Sequence, residues 1–172
     1  TYNFDKTVIA CGAFSKKLTD QFNEKIPLDT ERGYHVHFKD SDHLLSRPII
    51  FLNKGFAITP MEQGLRVVGT VEFGGLKNPP SKRRILNLVN NAKYLFPELK
   101  EHHDEWLGFR PTLPDFLPVL GPSKNHKNIF YSFGHHHLGW TLGAISGKII
   151  SRMIAGEKTN LDLSAYTSQR FS

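Results

Sequence analysis

The sequence is poor in cysteine and has no long uninterrupted apolar run. Cys11 stands alone among the 172 residues, so no internal disulfide can form. A reducing compartment suits such a chain. The most apolar late stretch, LGAISGKIISRMIAG, is broken by Lys148 and Arg152 and does not read as a membrane span. The opening TYNFDK lacks the basic and apolar regions of a signal peptide. There is no initiator Met either, and the chain runs almost at once into TVIACGAFS. That apolar burst reads as an interior strand, which leads us to expect a fragment of a longer protein. Internal repeats, low-complexity tracts and a splitting linker are all missing.

What is present is an ordinary globular composition of sufficient length for a real core. Twenty-two basic residues against sixteen acidic ones give a net charge of +6. The charges are scattered, however. The densest cluster, Lys82, Arg83 and Arg84, falls in the first turn of an expected helix without interleaved aromatics, so nucleic-acid binding is not expected.

Patterning along the chain predicts a mixture of elements. Thr7 to Ala10 is a short β-branched run and reads as a buried, parallel strand. Ser15 is placed to cap a short helix through about Phe22. Pro27 opens an extended segment. Arg32 to Phe38 reads as a strand with Tyr34, Val36 and Phe38 on one face and His35 and His37 on the other. Pro48 to Leu52 and Phe56 to Thr59 read as strands joined at Asn53-Lys54-Gly55, and Glu62-Gln63-Gly64 as another turn. Leu65 to Phe73 alternates, with Leu65, Val67, Val71 and Phe73 facing one way. Neighbouring strands with short turns predict an antiparallel sheet. Ser81 then caps a helix marked by Ile85, Leu88, Val89, Ala92 and Leu95, ending before Pro97. Glu105 to Phe109 reads as a strand entering the proline-rich loop RPTLPDFLPVLGP. Asn128 to Phe133 reads as a buried strand, and Leu138 to Ala155 as a closing helix stopped by Gly156.

Three features carry chemistry. Gly139, Gly143 and Gly147 form one bare stripe on the last helix, at a cost of about 1 kcal/mol each relative to alanine. The stripe suits either packing on a sheet or a helix amino end aimed at an anion. His135, His136 and His137 are too close together for a structural zinc site, and no second ligand pair has zinc spacing. One histidine facing a pocket, with the others solvated, is the expected arrangement. Arg110 sits between Phe109 and Pro111, either as a pre-set fork for a carboxylate or in a salt bridge to Asp115 or another acid.

Taken together, the segments resemble a known family. TVIACGAFS is similar to the VIAAGAWS-type strand of the D-amino-acid oxidase superfamily of flavoproteins. GFRPTLPDFLPVLGP resembles its GxRPxxPDxxPxxG motif. IFYSFGHHHLGWTLGAISGKIISRMIAG resembles its closing strand–GHxxxGWT–helix motif. ERGYHVHF and GFAITPMEQGLRVVGTVEFGG resemble the bacterial D-amino acid dehydrogenase branch in particular, and the match covers nearly the whole chain.

The resemblance implies an α+β fold: an antiparallel-sheet substrate domain with flanking helices, plus the closing strands and helix of a truncated, Rossmann-like FAD domain. It implies residues 1–25 as a residual FAD-domain strand and helix, 26–110 as the substrate sheet and helix, and 111–172 as the returning FAD-domain loop, strand and helix. The implied activity is oxidative deamination of D-amino acids to 2-oxo acids and ammonia, with hydride passing to FAD. A related FAD-dependent oxidase of glycine, sarcosine or a cyclic imino acid, and a free-standing binding domain without redox chemistry, are the alternatives. Arg110 is implied as the partner of the substrate carboxylate, with His137, Tyr34 and His35 on the substrate side. Ala10, Cys11, Gly12, Gly134, His135, Leu138, Gly139, Trp140 and Thr141 are implied around the FAD. No catalytic side chain and no metal ligand are assigned.

The resemblance also implies a quinone or respiratory acceptor in the dehydrogenase branch and oxygen in the oxidases. The implied location is cytoplasmic or peripheral at the inner face of the cell membrane. Two departures stand out. The family's GxGxxG strand–turn–helix, which seats the pyrophosphate, does not occur in this sequence, nor does the acid that holds the adenosine ribose. His136 occupies a position that is usually small. The expectation is therefore a C-terminal part whose missing N-terminal segment completes the FAD cradle, and which alone is inactive and holds FAD weakly or not at all.

Overall fold

The computed structural model describes residues 2–171. In chain order its strands are β1 Thr7–Ile9, β2 Asp29–Phe38, β3 Ile49–Phe51, β4 Phe56–Met61, β5 Gly64–Phe73, β6 His103–Thr112, β7 Val119–Pro122 and β8 Ile129–Phe133. Its α-helices are α1 Lys16–Thr19, α2 Lys82–Leu95 and α3 Gly139–Ala155. The chain divides into two compact units, one made of residues up to Glu31 and from Arg110 onward, the other of Arg32–Phe109. Each has its own apolar core.

The first unit is built on a three-stranded sheet in the order β1-β8-β7. β1 runs parallel to β8, with Ile9 opposite Tyr131, and β7 runs antiparallel to β8. Ile9, Ile26, Leu28, Leu113, Val119, Tyr131 and Phe133 form its core. Three expectations need correction. β1 is an edge strand in which only Ile9 is buried, while Thr7 and Val8 are exposed. The segment that follows is a chain of short pieces rather than one helix: a 3-10 turn Gly12–Phe14, α1, and a second 3-10 turn Asp20–Phe22. Ser15 is itself in helical conformation and its hydroxyl makes no cap; instead it accepts the Cys11 N–H at 3.1 Å. Finally, the proline-rich run is not all loop, because β7 forms inside it. Pro122 is tolerated there because it closes a strand at the sheet edge.

The second unit is a five-stranded sheet in the order β3-β4-β5-β2-β6, with β3, β4 and β5 antiparallel in succession. α2 buries Ile85, Leu88, Val89 and Ala92, the stripe its spacing predicts, against Tyr34, Val36, Phe38, Ile58, Leu65 and Val67. Ser81 makes no side-chain cap on α2; its N–H instead donates to the Tyr34 hydroxyl at 3.0 Å. β5 departs from the simple alternation. Leu65 and Val67 are fully buried, but Val71 is 49% and Phe73 69% exposed. Thr70 adopts a left-handed backbone (φ 63°), and this breaks the pleat. Beyond it Glu72, not its apolar neighbours, reaches the buried Arg32 at 3.3 Å.

Candidate functional site

In the first unit the paired parallel strands β1 and β8 end on the same side. Ala10, Cys11 and Gly12 leave the carboxyl end of β1; Gly134 and the three histidines leave the carboxyl end of β8. In sheets of this kind that end is where ligands bind. Gly134 is required at its position twice over. Its backbone is left-handed (φ 84°), and a Cβ would fall 2.5 Å from Leu113 Cδ1. The turn therefore lies tight on Leu113 and delivers the chain directly into α3.

The amino end of α3 has no acidic residue in its first turn and no side-chain cap. The N–H groups of Gly139, Trp140 and Thr141 lack partners within the helix, and its positive dipole end is not cancelled from inside. Leu138 is 44% exposed and Trp140 wholly exposed. Gly143 and Gly147 are exposed as well, and a Cβ on either would meet nothing within 4 Å. The helix packs on its sheet through Ser146, Ile149 and Ile150. The glycine stripe lies outside that contact. Helix-on-sheet packing within the unit is therefore not what the stripe serves.

The three histidines have different surroundings. His135 turns onto α3, with Nε2 2.9 Å from Ser146 Oγ, and burial pushes its pKa down. His136 has a left-handed backbone (φ 54°), its N–H donates to Pro111 O at 2.9 Å, and its Nε2 lies 2.8 Å from Glu31 Oε2. Strain of this kind persists only where surrounding contacts hold it. His137 is exposed. No group of three or more metal-ligating side chains converges among the described residues.

Arg110 sits near the end of β6, half-buried. Its Nη1 is buried and has no hydrogen-bond partner among the described residues. The alternative partner Asp115 is committed elsewhere: its carboxylate receives Arg170 Nε at 2.7 Å. Burial works to raise the Asp115 pKa, but hydrogen bonds from Arg170 and the Leu117 N–H outweigh it and hold the group low. A buried guanidinium nitrogen without an acceptor is costly, so it fits an anion supplied from outside the chain.

The other two expected substrate residues belong to the second unit. Tyr34 is fully enclosed. Its hydroxyl donates to Glu72 Oε2 at 2.5 Å and accepts from Arg32 Nη2 and the Ser81 N–H. It is the hub of an internal network that also pairs Glu72 with Arg32 and Arg84, so its polar end is already used. His35 is half-buried on the opposite face and stacks on Trp106 (4.9 Å, 14°). Trp106 in turn lies flat over Gly108, where a Cβ would fall 2.1 Å from the indole. Sequence reasoning missed Glu31, which carries no motif of its own, and the Arg32–Glu72 pair, whose members are 40 positions apart in the chain.

The FAD dependent oxidoreductase family model matches residues 1–153. The chain belongs to that family. A D-amino-acid oxidase of Bradyrhizobium diazoefficiens is 33% identical over 97% of this chain and 41% of its own length. A D-amino acid dehydrogenase of Granulibacter bethesdensis is 31% identical over 92% of this chain and 38% of its own. This member of the family thus spans about two fifths of the curated relatives it matches. Among solved structures, glycine oxidase from Geobacillus kaustophilus superposes with a TM-score of 0.86 at 24% identity, covering 98% of this chain and 46% of that one. Glycine oxidase from Bacillus cereus gives 0.75 at 28% identity, covering 90% and 43%. The fold is that of these flavoenzymes.

The residues present fit the family's cofactor where the structure allows a test. The exposed Ala10 and Cys11 and the tight Gly134 turn leave room beside the sheet without bulky side chains, and the uncapped amino end of α3 offers donors, while the Cys11 N–H is already given to Ser15 Oγ. His135 does not reach outward, because its ring is held by Ser146.

Proposed function

We propose that this chain forms the substrate-side sheet and the closing flavin-side segment of a FAD-dependent D-amino acid dehydrogenase or oxidase. Such an enzyme converts a D-amino acid to its 2-oxo acid and ammonia after imine hydrolysis. The observation that carries the reading is the buried Nη1 of Arg110, which has no partner among the described residues and whose intramolecular alternative Asp115 is taken by Arg170. Identity of 33% to a D-amino-acid oxidase and 31% to a D-amino acid dehydrogenase supports it.

FAD, when bound, supplies the hydride acceptor. Arg110 grips the substrate carboxylate and so fixes which face of Cα is presented. The N–H groups of Gly139, Trp140 and Thr141 would hold negative charge at the cofactor edge, with Leu138, whose own N–H is given to His135 O, placing them there. Ala10 to Gly12 would lie along its dinucleotide part. In this assignment residues 1–25 and 111–172 serve the cofactor and 26–110 the substrate, with a further N-terminal segment completing the cradle. Electrons would pass on to a quinone or respiratory acceptor at the inner membrane face in a dehydrogenase, and to oxygen in an oxidase. A second reading, a glycine oxidase, is favoured by the 28% identity to the Bacillus cereus enzyme.

Replacing Arg110 by leucine in the complete, flavin-loaded protein tests the proposal. The KM for an anionic D-amino acid should rise at least about 30-fold, the equivalent of roughly 2 kcal/mol for a truncated charge pair. Unchanged kinetics would remove Arg110 from the site. A panel of D-alanine, D-proline and glycine separates the two readings, since preferred turnover of glycine selects the second.

A further inference from the structure

The three consecutive imidazoles are wired unequally, and the wiring fixes their tautomers. Glu31 is buried, and its carboxylate lies 2.8 Å from His136 Nε2. An ionised carboxylate only accepts, so His136 Nε2 carries the hydrogen. A neutral imidazole has one N–H, and its Nδ1 is then a bare acceptor. That Nδ1 is in hydrogen-bond contact with Nδ1 of His137, and the two rings meet edge-on, 4.5 Å apart at 70°. The hydrogen of this contact must come from His137, and His137 Nε2 is left with a free lone pair on an exposed residue. His136 is fixed for this role by its N–H bond to Pro111 and by the edge of Phe116 at 5.1 Å.

Building on the reading above, we propose that Glu31 and His136 are positioning residues that hold His137 as its Nδ1–H tautomer, and that His137 Nε2 takes a proton from the substrate ammonium group. The N–H bond of the ammonium breaks, its electron pair stays on nitrogen, and a new N–H bond forms on Nε2. The positive charge moves to the imidazolium, which Glu31 stabilises through His136. No electrons are transferred in this step. The free amine it produces is the species whose lone pair becomes the imine bond when the hydride leaves Cα. The step places the proton transfer on the chain's own residues and gives a use for a bulky His136 where the resembled family has a small residue.

Nitrogen-15 NMR of histidine-labelled protein in mildly alkaline buffer reads the tautomers directly, without turnover or flavin. In the wild-type protein His137 should show a hydrogen on Nδ1 and a bare Nε2, and His136 the reverse. His136→Gly suits the left-handed backbone and should preserve the fold while returning His137 to a mainly Nε2–H form; Glu31→Ala should scramble both. In the complete, flavin-loaded protein both variants should lower kcat about 10-fold or more while leaving the amino-acid KM within two-fold, unlike Arg110→Leu. A wild-type His137 already protonated on Nε2, a pattern unmoved by His136→Gly, or an unchanged kcat in both variants would overturn the proposal. Turnover of no amino acid by the complete, flavin-loaded protein that carries this segment would instead sink the functional reading, and the NMR pattern would still decide the wiring.

Discussion

At the scale of single residues, polar groups are sorted by whether the chain itself supplies their partners. The resemblance implied Arg110 as the partner of the substrate carboxylate and Tyr34 as a further residue on the substrate side. The structure gives the Tyr34 hydroxyl partners on three sides within its own unit and leaves a buried nitrogen of Arg110 with none among the described residues. Tyr34→Phe should therefore act on stability rather than on binding. It strips a partner from Arg32, Glu72 and the Ser81 N–H and should cost about 1–3 kcal/mol, read from the shift in the denaturant midpoint at constant m-value. Periodicity correctly put Tyr34 on the inner face of β2. It carried no information about Glu72, because that contact depends on a left-handed Thr70 turning the following residues over.

At the scale of elements, the strongest sequence signals were the helical stripes and turn residues. α2 buries the apolar positions that its spacing marks, and Gly156 ends α3 in a left-handed conformation. The weakest signals were short elements among prolines, where β7 went unseen, and the segment after β1, where capping by Ser15 gave way to a bond with the Cys11 N–H. The glycines of α3 raise a separate point. Gly143 and Gly147 cost helix propensity, yet no described neighbour needs the space. Gly147→Ala should therefore stabilise the chain by about 1 kcal/mol, visible as a rise of a few degrees in the thermal midpoint. A lower midpoint would mean that this face is already occupied by a close-packed partner.

At the scale of the whole molecule, two separate cores predict two contributions to stability, and buried titratable groups set their pH dependence. His35, His37 and His135 are all lowered from 6.5, chiefly by burial. Between that value and their lowered folded values the unfolded chain binds protons that the native state refuses, so stability should fall as pH drops below 6.5. Glu24, lowered although burial opposes it because Ser123, Asn125, Lys124 and Ser168 bind its carboxylate, and Asp115, held low by Arg170, add a second loss as they are protonated at more acid pH. Tyr131 works in the opposite direction. Burial pushes it up from 10.0 to about 12, so the unfolded chain ionises first and stability should fall as pH rises from 10 towards 12. Denaturant titrations across the range should trace a plateau at neutral and mildly alkaline pH with a falling limb on each side; a curve flat from pH 7 to 5 would contradict the histidine assignment.

Local order in the sequence was enough to determine the family, the inner faces of β2 and α2 and the glycine-bounded closing helix, because hydrophobic period, turn residues and contiguous motifs are encoded between near neighbours. The partnership of Glu31 with His136, of Asp115 with Arg170 and of Glu72 with Arg32 was decided only by the folded chain. Those pairs join residues between 40 and 105 positions apart. A charge declares its partner only when strand register and backbone handedness have brought the two together and taken water away.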